Sequence, residues 1–596
     1  MIVIYSALSS CQNPLFPDFT PTGYIREDPT CVDIVNNTQC SVVYQNYTKP
    51  DCTGCPLIQL NDCDQIVNCA SATDVEYAEA AFQFNTAQPQ QPDPCTIVMA
   101  QSASCIQAAV RRIRQLRESN SNLQISIRGG RHSYIGASTV SKGVIVDVSR
   151  IKNFQESTTA ATVTMGVGNT LIEVYSILWN LTTVPRSLFP GGTCPTVGLS
   201  GLILGGGQGI VGRRHGLACD NILEYQMVNA TGDVMVITNV TNSDLYWALR
   251  GGGNGNFGIV YQVTLRRFDI PDQNMDIVLY YYNSAEWLTV FEAWQNFTLS
   301  QFFIDREYIW TQLTLTPTKL QVAAHVTGSE AEVAPFRAAI ANIINLPNTN
   351  PSGYEPGTNY TVCNYTPQNY TGALAFWAGC TVNNNCGTQQ DFERCRQLPT
   401  KCCGHPFNMN SGYQGPEPLS TLGMQTLIQN ILSVERVTGC QNASVQMDSL
   451  GGRINISNNA TAFPHRNNIF GYQYITYFVE PCNQTAMIEW LDRFYANMTQ
   501  FMGEGSYRNY ANINITMPNE RYFLGNLGRL MAIKSRYDPE NFFQYSQSIP
   551  PSMPSENSSV KPFSWQYASY AFAIVIAIAM GALLARPSLF GNRQTK

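Results

Sequence analysis

Charge is scarce in this 596-residue chain. Asp, Glu, Lys and Arg make up 13% of its residues, hydrophobic residues make up 44%, and the net charge is −6. Such a chain lacks the basic footprint of nucleic-acid binding. A dinucleotide fingerprint is also missing, because Gly251, Gly253 and Gly255 do not continue with the G-x-G-x-x-G spacing at Gly258 and precede a predicted strand rather than a helix. These absences exclude a nucleic-acid-binding protein and a Rossmann-type site.

The two ends of the chain carry different signals. Residues 1–8 are apolar but contain no basic residue and are short for a signal peptide, so either the signal is atypical or the true start lies upstream. Residues 568–585 are apolar except at two positions, which is long enough for a helix to cross a bilayer. Basic residues follow, so the positive-inside rule predicts a cytosolic tail and an outside location for residues 1–560. A GPI signal and a buried core helix are the alternatives.

Cysteines and sequons also indicate the secretory pathway. The chain has 19 cysteines, seven of them within the first 70 residues, and sixteen Asn-x-Ser/Thr sequons. This cysteine density favours disulfides in an oxidising compartment, and glycans would keep a weakly charged chain soluble. Zinc is the alternative for one group of cysteines, namely Cys52, Cys55, Cys63 and Cys69.

Hydrophobic patterning divides the chain into several parts. Strands at 95–99 and 123–128 flank a helix at 104–117, which is the order of an α/β unit. From about residue 269, strands alternate with amphipathic helices, which predicts an antiparallel sheet with helices on one face. The predicted parts are a Cys-rich extension (1–90), an α/β unit (91–270), a second unit (271–504), a segment returning to the first unit (505–550), a linker (551–565), a membrane helix (566–586) and a tail (587–596).

Two glycine turns carry nucleophilic side chains. Residues 127–134 read Ile-Arg-Gly-Gly-Arg-His-Ser-Tyr, and residues 191–198 read Gly-Gly-Thr-Cys-Pro-Thr-Val-Gly. Glycines let a backbone approach a ligand closely and present N–H groups to phosphate oxygens. His132 and Cys194 could therefore both bond to one cofactor, although either residue alone in such a turn is more often structural.

Five segments, in order, resemble the berberine bridge enzyme-like group of FAD-linked oxidases, part of the vanillyl-alcohol oxidase (PCMH-type) superfamily. They are the two turns and residues 213–221, 244–253 and 526–542, and the resemblance covers about residues 95–550. It implies an α+β fold with a PCMH-type two-lobed FAD-binding domain and a substrate domain whose antiparallel sheet is backed by helices. It also implies FAD bonded to His132 and Cys194. The other 18 cysteines could then all pair, although Cys105 or Cys219 could stay a buried thiol.

The resemblance further implies which residues contact the cofactor, and no metal is expected. Arg131 departs from the family, which usually has a second glycine directly before the histidine, so Arg131 could pair with the pyrophosphate or disturb the turn. Val197 matches the family's oxygen gate, where valine is typical of members that react readily with O2, although a core valine would look the same. The expected cofactor-binding residues are Arg128, Gly129, Gly130, Arg131, His132, Ser133, Gly192, Thr193, Cys194, Val197, Gly198, Asn221, Gly258, Ile259 and Asn509.

A catalytic base is expected in the second unit and the return segment. In the family's carbohydrate oxidases, an Asp before Gly-Gly pairs with a tyrosine of a Tyr-x-Asn-Tyr segment, and Asp448, Tyr507 and Tyr510 fit that pattern. A carboxylate that accepts the phenol proton makes tyrosine a usable base, whereas core packing is the alternative for each tyrosine alone. Asn455 stands where the plant alkaloid enzyme has a catalytic glutamate, so alkaloid ring closure is not expected. The Asn455 sequon is expected to be buried and unmodified.

The sequence therefore predicts a membrane-anchored, glycosylated enzyme that faces the outside of the cell. It would oxidise an alcohol or sugar hydroxyl by hydride transfer to bicovalent FAD, with O2 as acceptor and H2O2 as product. One alternative is a dehydrogenase of the same fold that uses another acceptor. The other is an inactive surface recognition protein that works through its Cys-rich extension.

Overall fold

The computed structural model describes residues 48–83, 85, 93–182, 184–344, 360–381, 386–397, 406–478 and 482–552. Those up to Pro551 form one compact unit, and only Ser552 is described of the unit that follows. The possible signal and the apolar segment predicted to be a membrane helix lie outside the described residues. Within the described part of the chain, no helix is both long and apolar enough to span a bilayer.

A four-stranded mixed sheet forms the first lobe. Its order is β1–β2–β4–β3, with β2, β4 and β3 parallel and β1 antiparallel to β2. The helix after β2 begins at the cap Ser102 and packs Ile106, Val110 and Ile113 into the core, which confirms the predicted strand–helix–strand unit. The elements are β1 (Gln65–Asn68), α1 (Asp74–Ala81), β2 (Thr96–Met99), α2 (Ala103–Ser119), β3 (Ile125–Arg128) and β4 (Val144–Asp147).

A five-stranded antiparallel sheet of order β5–β6–β10–β8–β9 forms the second lobe. Strands β7 and β11, from the same part of the chain, form a separate two-stranded sheet. The alternation over residues 228–238 and their Thr-Gly-Asp turn predict a β-hairpin, and the antiparallel pairing of β8 with β9 confirms it. The elements are β5 (Phe154–Glu156), β6 (Thr162–Gly166), α3 (Leu171–Trp179), β7 (Ser187–Leu188), α4 (Leu199–Gly205), α5 (Gly212–His215), β8 (Ile222–Val228), β9 (Val234–Thr238), α6 (Ser243–Leu249), β10 (Ile259–Arg266) and β11 (Phe268–Asp269).

A seven-stranded antiparallel sheet of order β15–β12–β14–β13–β17–β18–β16 follows, as predicted. The elements are β12 (Gln273–Tyr281), α7 (Trp287–Leu299), α8 (Gln301–Ile304), β13 (Ile309–Leu315), β14 (Leu320–Gly328), α9 (Glu330–Ile344), β15 (Tyr360–Tyr365), α10 (Tyr370–Trp377), α11 (Gln389–Arg396), β16 (Phe407–Gln414), α12 (Thr421–Thr438), β17 (Ala443–Ser449), β18 (Phe470–Tyr477) and α13 (Gln484–Thr499).

Side-chain alternation gives this sheet two different faces. Leu313 of β13, Val445 and Met447 of β17 and Tyr472 of β18 belong to a hydrophobic cluster with α7, α12 and α13. Because successive side chains of a strand point to opposite faces, the residues between them face away from these helices. On β13, β17 and β18, this second face carries Gln312, Gln446, Asp448 and Gln473 beside Trp310. This part, called the polar face below, borders the cavity, whereas the β12–β14 part packs in a hydrophobic cluster with α10.

The last described segment packs onto the two lobes. Lys534 is fully buried, donates to the backbone carbonyls of Asn256 and Phe543 at 2.6 and 2.7 Å, and forms an ion pair with Asp538. The segment contains α14 (Pro518–Phe523) and α15 (Leu527–Tyr537). Short 3-10 turns complete the described elements, at Ala218–Asn221, Ser284–Glu286, Gly452–Ile454, Arg508–Tyr510 and Leu524–Asn526. The boundaries between the predicted parts stay a prediction.

Six disulfides are present among the described residues. Cys219 is a buried thiol that forms no disulfide, so the 18 cysteines other than Cys194 do not all pair. Cys105, in contrast, is disulfide-bonded. The zinc alternative is wrong, because all four of its cysteines are in disulfides. An extracellular or lumenal compartment fits this chemistry. The pairs are Cys52–Cys69, Cys55–Cys95, Cys63–Cys105, Cys363–Cys386, Cys380–Cys395 and Cys440–Cys482.

Candidate active site

One large cavity lies between the two glycine turns and the polar face of the seven-stranded sheet. Counted with its opening, it encloses about 1840 Å³. Arg128, Asn221 and Ile259 are not among its lining residues, although Arg128 and Ile259 each adjoin a residue that is. The predicted site residues that line it are Gly129, Gly130, Arg131, His132, Ser133, Gly192, Thr193, Cys194, Val197, Gly198, Gly258, Asp448, Tyr507, Asn509 and Tyr510.

The two turns meet through a pair of glycines. A Cβ atom on Gly130 would lie 2.1 Å from the backbone nitrogen of Gly198, and a Cβ atom on Gly198 would lie 2.3 Å from the nitrogen of Gly130. Neither glycine needs a left-handed backbone, so it is close approach that requires glycine at both positions. This contact brings the turn with His132 against the turn with Cys194.

Thr196 contacts both nucleophilic side chains. Its Oγ1 lies 2.9 Å from Nε2 of His132 and 3.8 Å from Sγ of Cys194. His132 is half-buried, and burial lowers its pKa to about 3, so the imidazole is neutral at neutral pH. The sequence analysis missed Thr196, although it lies two residues after Cys194 in the glycine turn.

A buried charge cluster supports the turn that carries His132. Nε of Arg128 lies 2.7 Å from Oδ2 of Asp147, and a guanidinium nitrogen of Arg131 lies 3.2 Å from the same oxygen. Although burial opposes ionisation, the two arginines hold the pKa of Asp147 below its usual value. Asp147 ends β4 directly opposite Arg128 on β3, and sequence reasoning did not find it.

The sheet face across the cavity carries three amides and one carboxylate. Gln312 and Asp448 are register partners on β13 and β17, as are Gln446 and Gln473 on β17 and β18. Oδ1 of Asp448 accepts hydrogen bonds from Gln312 at 2.8 Å and from Gln446 at 3.4 Å. Burial nevertheless raises the pKa of Asp448 to about 6. The site thus holds a carboxylate that titrates close to neutral pH.

The two candidate tyrosines have different surroundings. The Tyr507 hydroxyl is buried and accepts hydrogen bonds from the N–H of Gly207 at 2.8 Å and from the Asn509 amide at 3.0 Å. Tyr510 is half-buried, with its ring 4.9 Å from that of Tyr507 and 6.0 Å from that of Tyr134. Burial raises the pKa of Tyr510, and Tyr134 and Asp448 raise it further. Tyr507 is thus held as part of the framework, whereas Tyr510 lies within the electrostatic reach of Asp448.

The expectation that Asn455 is buried is wrong. Its side chain is exposed rather than buried, and the residue does not line the cavity, although its neighbour Ile454 does. Asn455 lies at the end of the short turn Gly452–Ile454, and that turn directs its side chain to solvent. Its sequon is therefore accessible.

Known proteins resemble this chain in sequence and in fold. Residues 94–238 match a family model of the FAD binding domain, and residues 506–550 match one described as berberine and berberine like. The uncharacterized FAD-linked oxidoreductase YgaK of Bacillus subtilis (strain 168) is 27% identical over 490 residues, 80% of this chain and 95% of that protein. Berberine bridge enzyme-like 4 of Arabidopsis thaliana is 27% identical over 554 residues, 86% and 97% of the two chains. The structure of Physcomitrella patens BBE-like 1 matches with a TM-score of 0.70 at 25% identity, over 82% of this chain and 97% of that one.

These findings make the chain an FAD-linked oxidoreductase of α+β PCMH-type fold. Within that class, its resemblance to the berberine bridge enzyme-like group is confirmed. The matched family models end before the C-terminal apolar segment begins.

Proposed function

We propose that this chain oxidises a sugar hydroxyl to a carbonyl with FAD bonded to His132 and Cys194, and that O2 accepts the electrons to give H2O2. The observation that carries the proposal is the makeup of the cavity walls. Two turns with nucleophilic side chains form one wall, and a polar sheet face with a carboxylate forms the other. Cofactor attachment and substrate recognition thus lie on opposite sides of one space.

The turns fit a covalently held flavin. A Cβ atom on Gly129 would lie 2.3 Å from Oγ of Ser200 and one on Gly130 2.1 Å from the nitrogen of Gly198, so this turn packs too closely against residues 198–200 for any side chain at either glycine. The neutral imidazole of His132 keeps the lone pair needed for bond formation, and Cys194 is outside the described disulfides. His132 and Cys194 would hold the cofactor, and FAD supplies a hydride acceptor when bound.

Tyr510 and Asp448 would remove the hydroxyl proton. As the hydride leaves the substrate carbon, the phenol oxygen of Tyr510 takes the proton of the substrate hydroxyl and passes its own proton to Asp448. Asp448 suits this role because its pKa of about 6 leaves it ionised at neutral pH yet able to accept a proton. Tyr507 would position the segment, since its hydroxyl is engaged by Gly207 and Asn509.

The polar wall favours a carbohydrate over an aromatic alcohol. Gln312, Gln446 and Gln473 present amide groups, which can both donate to and accept from sugar hydroxyls. Proteins of similar fold include a chitooligosaccharide oxidase and a xylooligosaccharide oxidase from Myceliophthora thermophila in complex with xylobiose. Another is a glucooligosaccharide oxidase from Acremonium strictum whose FAD is linked to both a cysteine and a histidine.

The choice of O2 as acceptor rests on Val197. This small side chain lines the cavity three residues after Cys194, and valine at the matching position is typical of those members of the resembled group that react readily with O2. A dehydrogenase with another acceptor is the second candidate. It would show rapid flavin reduction by substrate and slow reoxidation in air.

Glycosylation and membrane attachment complete the proposal. Nine sequon asparagines are exposed among the described residues, and the apolar segment at 568–585 would anchor the enzyme. Glycosidase treatment of the purified protein should lower its mass, and extraction should require detergent. The exposed asparagines are Asn180, Asn239, Asn296, Asn369, Asn455, Asn459, Asn483, Asn497 and Asn514.

Peptide mapping of the purified full-length protein tests the attachment. The wild-type protein should carry flavin on the peptides that contain His132 and Cys194, whereas Cys194→Ala should retain only the His132 adduct. Cys219→Ala is the matched control, because Cys219 is a buried thiol that does not line the cavity. A colourless protein without either adduct would contradict the proposal and favour the inactive recognition protein.

Peroxide release tests the reaction. Oligosaccharides should give H2O2 in air at a higher kcat/KM than aromatic alcohols of similar size. Flavin reduction without peroxide would support the dehydrogenase instead.

A further inference from the structure

Arg131 has a backbone conformation that favours glycine. Its φ is +66°, in the left-handed region, and it directly precedes His132. A side chain disfavours that region about tenfold relative to glycine. Something in the structure must therefore hold Arg131 in this conformation.

The guanidinium of Arg131 is held on two sides. It donates to the carbonyl of Glu79 at 2.8 Å and lies 3.2 Å from Asp147, and only 4% of the side chain is exposed. Arg128 beside it donates to the carbonyl of Ala80 at 2.7 Å. Both carbonyls belong to the last turn of α1, where helix carbonyls lack partners within the helix and carry partial negative charge.

The charge balance explains why α1 is needed. Arg128 and Arg131 share one carboxylate, that of Asp147, so the buried cluster carries one positive charge in excess. Carbonyls at the C-terminus of α1 offset that excess. The helix is itself fixed to the first lobe, because β1 before it pairs with β2 and the disulfides Cys55–Cys95 and Cys63–Cys105 join the two parts.

We infer that Arg131 is a positioning residue, and that the Cys-rich extension completes the cofactor turn through it. Asp147 and the end of α1 hold the guanidinium, the guanidinium fixes the left-handed backbone, and this backbone directs His132 into the cavity. The described part of the extension therefore belongs to the cofactor site through α1. The inference deepens the proposed function, since it rests on flavin attachment at His132.

Two substitutions of Arg131 separate the effect of the guanidinium contacts, called the anchor of Arg131 below, from the effect of the left-handed backbone. Arg131→Ala removes the guanidinium but keeps the side-chain cost of the left-handed backbone, whereas Arg131→Gly removes both. In full-length protein, Arg131→Ala should lower the ratio of the His132 adduct to the Cys194 adduct about tenfold. Arg131→Gly should restore that ratio to within about threefold of wild type. The Cys194 adduct in the same molecules reports that the protein folded.

Hydrogen exchange of the peptide covering 127–134 gives a readout that does not depend on flavin. Exchange should quicken in Arg131→Ala and return towards wild type in Arg131→Gly. An unchanged adduct ratio in Arg131→Ala, or equal loss in both variants, would overturn the inference. If wild-type protein carries no adduct on His132, the proposed attachment fails, and the exchange measurement alone decides whether Arg131 positions the turn.

Discussion

Replacing Asp448 by asparagine should remove catalysis without harming the fold. The asparagine keeps the shape and can still accept from Gln312, but it cannot take a proton. General base catalysis contributes about 10²–10⁴ in rate, so flavin reduction by substrate should slow by at least about a hundredfold. Stopped-flow absorbance under anaerobic conditions measures that step directly.

The pH dependence makes this prediction sharper. The pKa of Asp448 is raised to about 6, so the active carboxylate is present above that pH and is lost as the pH falls through it. About nine-tenths of the molecules hold it ionised at pH 7 and about one-tenth at pH 5, so kcat/KM should fall about tenfold over that interval. In Asp448→Asn, this fall of kcat/KM at acid pH (the acid limb of the profile) should be absent. Asp492→Asn, which removes a carboxyl whose pKa burial also raises but which does not line the cavity, should keep it.

Stability provides the control for folding. Because the folded-state pKa of Asp448 lies above the unfolded value, ionising it costs the folded protein about 2–3 kcal/mol at pH 7.5. Asp448→Asn avoids that cost and can keep the hydrogen bond from Gln312, so its urea midpoint should not fall below that of wild type. A rate loss of less than about threefold, or an acid limb that persists in the variant, would refute the role of Asp448.

Two further predictions concern cofactor attachment and stability. Gly130→Ala should lower flavin incorporation and destabilise the protein by about 1–3 kcal/mol, because its Cβ would meet the backbone of Gly198, whereas Gly528→Ala, with open space around its Cβ, should do neither. Absorbance ratios and urea denaturation check this, and equal effects of the two variants would contradict it. His465 is 2% exposed, and burial lowers its pKa to about 3, so the unfolded state gains its proton first as the pH falls below 6.5. Between pH 6.5 and 5.0, the free energy of unfolding of wild type should fall by about 2 kcal/mol through this group. In His465→Phe, the free energy of unfolding measured by urea denaturation should fall by about 2 kcal/mol less over the same interval, and an equal fall in both proteins would refute this prediction.

Local sequence patterns predicted those features that depend on neighbours along the chain. The apolar spacing over residues 104–117 predicted α2, and the alternation over residues 228–238 predicted the hairpin of β8 and β9. The resemblance to a known group predicted that His132, Cys194 and Asp448 share a site, and all three line one cavity. Periodicity alone could not have brought them together.

Features that depend on sheet register and on distant contacts could not be predicted. Gln312 and Gln473 lie far from Asp448 in sequence and share a sheet face with it only through the pairing of β13, β17 and β18. The anchor of Arg131 depends on carbonyls of α1, whose position the sequence does not indicate. Asn455 was expected to be buried because a relative uses that position for catalysis, yet a short turn directs it to solvent.

The proposed cofactor attachment and the proposed proton removal involve separately stabilised parts of this molecule. His132 and Cys194 lie on turns that are fixed by the Gly130–Gly198 contact and by the buried cluster around Asp147. Asp448 lies on the seven-stranded sheet, whose position is fixed by its helix-covered face. Effects of substitutions at sites without shared partners add. Loss of the Asp448 carboxylate should therefore leave both adducts in place, and loss of the Arg131 anchor should leave the acid limb of kcat/KM at the same pH in the molecules that still bind flavin.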